Sequence, residues 1–187
     1  MTNKAMRLPA VDARENDELE DIFAEIKHSR GCTEVSNALR SLGHSPEALR
    51  HFSRLGAYLK FQTDLSERER ELTILCAARG VQYTWLHRVR LSLRVGIVQQ
   101  VIDDVERGIV SDLLPNQEKA ITAFVMELFS TESVSDSTFE KLKSYYSPRQ
   151  ITEIAMSAAY YRALGTVGLA FKIEIETPEQ IASWNLH

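Results

Sequence analysis

A carboxylate, two aromatic rings and two basic side chains fall close together along the chain, as Glu71, Tyr83, Trp85, His87 and Arg88. Such a set can anchor an anion, hand over a proton and wall off a small molecule. The planar donor fork of Arg88 suits a carboxylate bidentately, and Glu71 is placed to orient it. His87 and Tyr83 are the candidate proton donors, since either side chain can act in general acid–base catalysis. Further on, Glu153 and Tyr160 are polar members of a stripe with Met156, Leu164, Val167 and Phe171. With Trp85 they are candidates to complete a substrate pocket. Each residue also has a plainer explanation. Glu71 and Arg88 can be a buried ion pair locking two helices, Tyr83 and Trp85 core packing, and His87 a surface residue. Glu153 and Tyr160 can simply bond their neighbours.

Helices must position these groups, because nearly every segment has helical period and clear punctuation. A first helix is expected from about Asn16 to Lys27 and a short one over Val35–Leu42, closed by Gly43. Ser45-Pro46-Glu47 opens a third, running to about Phe61, with an N-cap serine and proline in the first turn. Ser66 with Glu69 forms a capping box for a helix stopping near Gly80, and the next spans about Gln82–Val95 before Gly96. Val98–Arg107, Asn116–Phe129 and Asp136–Tyr146 follow. The last begins at Ser147-Pro148-Arg149-Gln150, a second capping box, and runs to about Lys172, with Pro178 marking a tail. Ile173–Thr177 alone has strand character, with nothing to pair with. The fold class expected is all-α. Leu65–Glu69 and Tyr146–Gln150 open long helices alike, either as a quasi-repeat or because many helices start this way.

On helical wheels Glu71 sits among Ile74, Leu75 and Ala78, within an apolar stripe. A carboxylate there needs a partner, since burying an unpaired charge is costly. On the following helix Trp85, Leu86, Val89 and Leu93 form one apolar arc, and Leu91 with Val95 a second. Arg88 and Ser92 lie between the arcs, facing inward, while His87 falls among Tyr83, Arg90 and Arg94 on the more polar side. Arg88 is therefore the inward basic group expected to meet Glu71.

Length and composition bound the rest. At 187 residues, 44% hydrophobic and 26% charged, the chain reads as one globular domain. Its core is expected over 45–172, with an N-terminal helical extension over 1–44 and a tail over 173–187. A net charge of −4 gives no reason to expect nucleic acid. No apolar h-region follows the opening residues and no apolar run is long enough to span a bilayer, so a cytoplasmic protein without a membrane partner is expected. Cys32 and Cys76 lie far apart, read as reduced thiols, and cannot make a CxxC motif.

The runs Gly43–Leu49 and Leu65–Leu72, with Tyr83, Trp85 and the Ser147–Leu164 helix, resemble the carboxymuconolactone decarboxylase family, which includes alkylhydroperoxidase D-like peroxidases. The resemblance implies a helical bundle of about eight or nine helices and assembly into trimers or hexamers. Non-cysteine members resemble Y-x-W-x-x-H. Here Tyr83 and Trp85 match, but Arg88 holds the histidine's place and His87 stands one residue early. Arginine cannot release its proton near neutral pH, so any proton shuttle has moved to His87 or been given up. The connection from Glu71 to Tyr83 is also about two residues shorter than the family's.

Three functions follow. The first is cofactor-free acid–base chemistry, of lyase type, on a small carboxylate or simple binding of one. There Arg88 anchors, His87 or Tyr83 donates, and Trp85 with Tyr160 encloses. The second is a peroxiredoxin-like antioxidant protein, which the resemblance implies would use a CxxC pair this chain lacks. The third is a non-catalytic member of the fold, favoured by arginine in place of histidine. No metal or cofactor is called for by any of them.

Overall fold

In the computed structural model, which describes residues 6–15, 17–177 and 180–181, nine α-helices and a short 3₁₀ turn at Ala13–Glu15 account for the regular structure. The helices are α1 (Asp17–Arg30), α2 (Asn37–Leu42), α3 (Pro46–Phe61), α4 (Glu67–Ala78) and α5 (Gln82–Arg94), then α6 (Gln99–Arg107), α7 (Asn116–Thr131), α8 (Asp136–Lys143) and α9 (Pro148–Phe171). The all-α expectation holds among the described residues, and Ile173–Thr177 is irregular rather than a strand. The opening expected at Asn16 and the break expected at Pro178 lie outside the described residues. No described helix is long and apolar enough to cross a membrane.

The chain falls into two compact units. One takes Met1–Phe61 with Thr166–His187, and the other takes Gln62–Gly165. The first is built where α1 lays Leu19, Ile22, Phe23 and Ile26, one helical stripe, against Leu39 of α2 and Leu49 of α3. Val11 and Val35 close that core. Glu176 is buried beside it and accepts a 2.6 Å hydrogen bond from the backbone N–H of Asn37.

The second unit carries every candidate site residue. Its centre is α4, of which every residue from Glu71 to Ala78 is buried, packed between α5 and α7. Both expected capping boxes form. The Ser66 hydroxyl accepts from the Glu69 N–H while the Glu69 carboxylate accepts from the Ser66 N–H. Ser147 and Gln150 exchange the same two bonds at the start of α9. Each box satisfies two backbone donors that a helix start would leave open. Arg79–Val81 turns the chain from α4 into α5, and Gly80 supplies the positive φ of 78° that this turn needs. Several boundaries move by two or three residues: α1 runs on to Arg30, α2 opens at Asn37, α7 reaches Thr131, and α8 stops at Lys143 rather than Tyr146, whose phenol instead donates to Glu69 at 2.8 Å.

Two faces differ from the wheel reading. On α9 the buried side is Ile151, Glu153, Ile154, Ser157, Ala158, Tyr160 and Tyr161, whereas Met156, expected inside, is exposed. The small residues of α9 set this rotation. A Cβ on Gly165 would lie 2.9 Å from the Val81 Cγ1 and 3.3 Å from the Thr84 hydroxyl, so α9 seats its glycine against the start of α5. On α5 the buried side is Tyr83, Thr84 and Ser92, so the phenol assigned to the polar side is inside. The apolar arc expected inside is split, with Trp85 and Val89 half-buried and Leu86 44% and Leu93 45% exposed. Thr84 and Arg88 of α5 find partners inward, while Leu86 and Leu93 are left exposed among the described residues.

Candidate functional site

Glu71 is 4% exposed, between Ile74, Leu75 and Ala78 on the most buried helix of the unit. Its partner is Arg88, whose Nη1 donates to Oε1 at 3.3 Å and to Oε2 at 3.1 Å. The Arg88 side chain is 12% exposed. Burial works against its charge, but Glu71, followed by Tyr161 and Tyr83, outweighs burial and raises its pKa above the ordinary value. The guanidinium carbon lies 4.8 Å from the centre of the Tyr161 ring, within cation–π range. Among the described residues, Arg88 is hydrogen-bonded through Nη1 alone, so its Nε and Nη2 edge is uncommitted.

Beside this pair, Tyr83 and His87 meet edge to face with ring centres 4.9 Å apart and planes at 68°. They stand one turn apart on α5, with Tyr83 buried and His87 half-buried. Trp85 is half-buried, and no hydrogen bond or aromatic pairing among the described residues joins it to Glu71 or Arg88. Tyr160 is buried and packs edge to face on Tyr161, with centres 5.1 Å apart and planes at 80°. It therefore reaches Arg88 through its neighbour. Glu153 turns elsewhere: it accepts from the Asp64 N–H at 2.9 Å and from the Arg149 Nε at 3.2 Å. That fastens the start of α9 to the loop before α4.

The structure thus brings together Glu71, Arg88 and the Tyr83–His87 pair, adds Tyr160 at one remove, and leaves Trp85 and Glu153 apart. Tyr161 is the residue the sequence reading missed. An inward arginine needs a flat or anionic neighbour on more than one side, and the Tyr160-Tyr161 pair was the available signal.

Neither thiol joins the site. Cys76 is buried, and burial pushes its thiol up to about 12 against a hydrogen bond with Thr122. Burial also raises Cys32, which lies in the other unit. Among the described residues no three His, Cys, Asp or Glu side chains are grouped to hold a metal ion.

No protein-family model matches the chain, and no curated protein matches it in sequence. Solved structures do match in shape. A cysteine-to-alanine variant of the debrominase Bmp8, in complex with 2,3,4-tribromopyrrole, aligns with a TM-score of 0.76 at 19% identity, over 97% of this chain and 98% of that one. The alkylhydroperoxidase AhpD core of a peroxidase-related protein from Ralstonia eutropha JMP134 aligns at 0.76 with 18% identity, over 96% of both chains. A peroxidase-related protein from Silicibacter sp. TM1040 gives 0.74 at 17% identity, over 96% of this chain and 98% of that one. The chain shares the alkylhydroperoxidase D-like helical fold.

Proposed function

We propose that the protein is a carboxymuconolactone decarboxylase-like member of this fold, without a CxxC pair, that binds a small carboxylate on Arg88 and carries out cofactor-free acid–base chemistry on it. One observation carries the reading: Glu71 holds Arg88 by a single nitrogen, which leaves the opposite edge of the fork for a ligand. Glu71 offsets the buried positive charge and fixes the guanidinium plane, and Tyr161 supports its face. A carboxylate accepting from Nε and Nη2 would be charge-assisted on both bonds. The Tyr83 phenol and the His87 imidazole, in mutual contact on the same helix, are the candidate donors for a proton to a developing carbanion or enolate. Tyr160, packed on Tyr161, supplies apolar cover, and Glu153 fastens the start of α9. The tribromopyrrole complex of Bmp8 supports a small planar guest within such a bundle. A peroxidase reading is weaker, because the Cys76 thiol is buried and pushed up to about 12, and a thiolate is the reactive form.

Ligand-induced thermal shifts test the anchor, with benzoate and short-chain carboxylates at millimolar concentration as probes. The wild-type protein should be stabilised in proportion to ln(1 + [L]/Kd), and the Glu71→Gln/Arg88→Met variant should be folded and unresponsive. An unchanged shift in that variant would remove Arg88 from the binding role. The outward arc of α5 supports the trimeric or hexameric state implied by the family resemblance, because leucines 44% and 45% exposed are natural contacts between copies. Sedimentation at micromolar concentration should show an oligomer, and a lone species of 21.2 kDa would refute it.

A further inference from the structure

The arginines of this protein settle on carboxylates in two ways. Arg14, Arg54 and Arg68 each set Nε and Nη2 on the two oxygens of one partner, Asp12, Glu25 and Glu118 respectively. That forked match is the strong form of the pair. Arg50, Arg107 and Arg149 instead divide the guanidinium between two acceptors. Arg88 does neither. Its Nη1 alone meets both oxygens of Glu71, at 3.3 and 3.1 Å, longer than the about 2.7–2.9 Å usual for a charge-assisted bond. Yet Arg88 is the most buried of these arginines, with 12% of its side chain exposed. A second bond would count for most there, where water competes least.

One contact sets Arg88 apart from the forked arginines. Its guanidinium carbon lies 4.8 Å from the centre of the Tyr161 ring, whereas among the described residues Arg14, Arg54 and Arg68 lie over no ring. A guanidinium bonded through one nitrogen can still pivot about it. A ring against its face resists the pivot, because leaving the ring forfeits the cation–π attraction. The ring is itself held: Tyr161 is 3% exposed, and Tyr160 packs edge to face against it at 5.1 Å and 80°.

We propose that Tyr161 is the positioning residue of the anchor: its ring holds Arg88 short of a closed pair with Glu71 and so keeps the Nε and Nη2 edge open for a carboxylate. This rests on Arg88 as the anchor. The two properties of the site then respond to the ring with opposite signs. Without it, a second nitrogen of Arg88 turns onto Glu71, which tightens the ion pair and takes from the ligand one half of its fork.

Tyr161→Phe keeps the ring without its hydroxyl, and Tyr161→Met fills the space without a ring. Calorimetric titration of the full chain with benzoate reads the anchor, with circular dichroism to confirm folding. A double-mutant cycle of Glu71→Gln and Arg88→Met reads the ion pair, by denaturant unfolding in the wild-type and Tyr161→Met backgrounds. Tyr161→Phe should bind benzoate as wild type does, and Tyr161→Met about tenfold more weakly, a loss within reach of a desolvated stack. The coupling of Glu71 to Arg88 should rise in the Tyr161→Met background, which a loss of packing alone would not produce. If the methionine variant does not fold, the Tyr161→Phe titration decides by itself. Weakened binding in Tyr161→Phe, undiminished binding in Tyr161→Met, or a coupling that stays or falls there would overturn the role of Tyr161 and leave Arg88 as the anchor. Benzoate binding that is absent from wild type, or that persists in Glu71→Gln/Arg88→Met, would overturn the anchor and this inference with it.

Discussion

Two polar clusters in the same unit, a few turns apart, use similar residues to opposite ends. Where α4 and α9 begin, Glu69 accepts from Ser66 and Tyr146, Gln150 from Ser147, and Glu153 from Asp64 and Arg149. The same Arg149 lies 3.1 Å from the Asp64 carboxylate. Donors and acceptors there are matched by the protein itself. On α5, by contrast, Arg88 spends one nitrogen on Glu71 of α4, and Ser92 there and Ser157 of α9 spend nothing. The contrast teaches that a concentration of charge is no sign of a site. Unused hydrogen-bonding capacity in a buried place is the more informative feature, because native proteins leave few such groups unsatisfied.

Substitutions in the two clusters should therefore separate stability from binding. The largest effect belongs to Arg88→Met, which orphans a buried Glu71 and should cost about 3–5 kcal/mol in denaturant unfolding. Glu71→Gln/Arg88→Met should regain most of that loss while abolishing carboxylate binding. If both variants unfold at the same denaturant concentration, the two side chains are not an energetic pair. At the helix starts, Glu153→Ala should cost about 1.5–3 kcal/mol by stripping charge-assisted bonds from Asp64 and Arg149. Ser66→Ala, which removes only a cap, should cost about 1 kcal/mol. Neither should alter the thermal shift produced by carboxylates. A lost shift in either would mean that the saturated cluster also serves the ligand, and the distinction drawn between the clusters would collapse.

The punctuation of the fold was legible because caps and glycines act locally. Ser66 with Glu69, Ser147 with Gln150, and the glycine stops at Gly96 and Gly108 sit where their chemistry predicts. The meeting of Glu71 and Arg88 was legible too, since a charge on an apolar stripe must find its opposite nearby. What escaped was rotation. Tyr83 and Met156 were set on the wrong faces of α5 and α9 because a wheel weighs side chains by polarity alone. The close seat of Gly165 and the contacts of Tyr161 turn α9 instead, and these depend on shape between helices distant in sequence. The outward leucines of α5 were misjudged for a related reason. Their apolar character says that they should be covered, and nothing local says by which chain.

The bare Cα of Gly165 has a consequence for selectivity. It sets the gauge between α5 and α9 one turn from the stack of Arg88 on Tyr161. A single methyl group at position 165 would act as a shim, opening the helix pair at that level and lifting the ring from the guanidinium. The clearance that the proposed ligand would meet is thus calibrated by a residue that has no side chain with which to touch it.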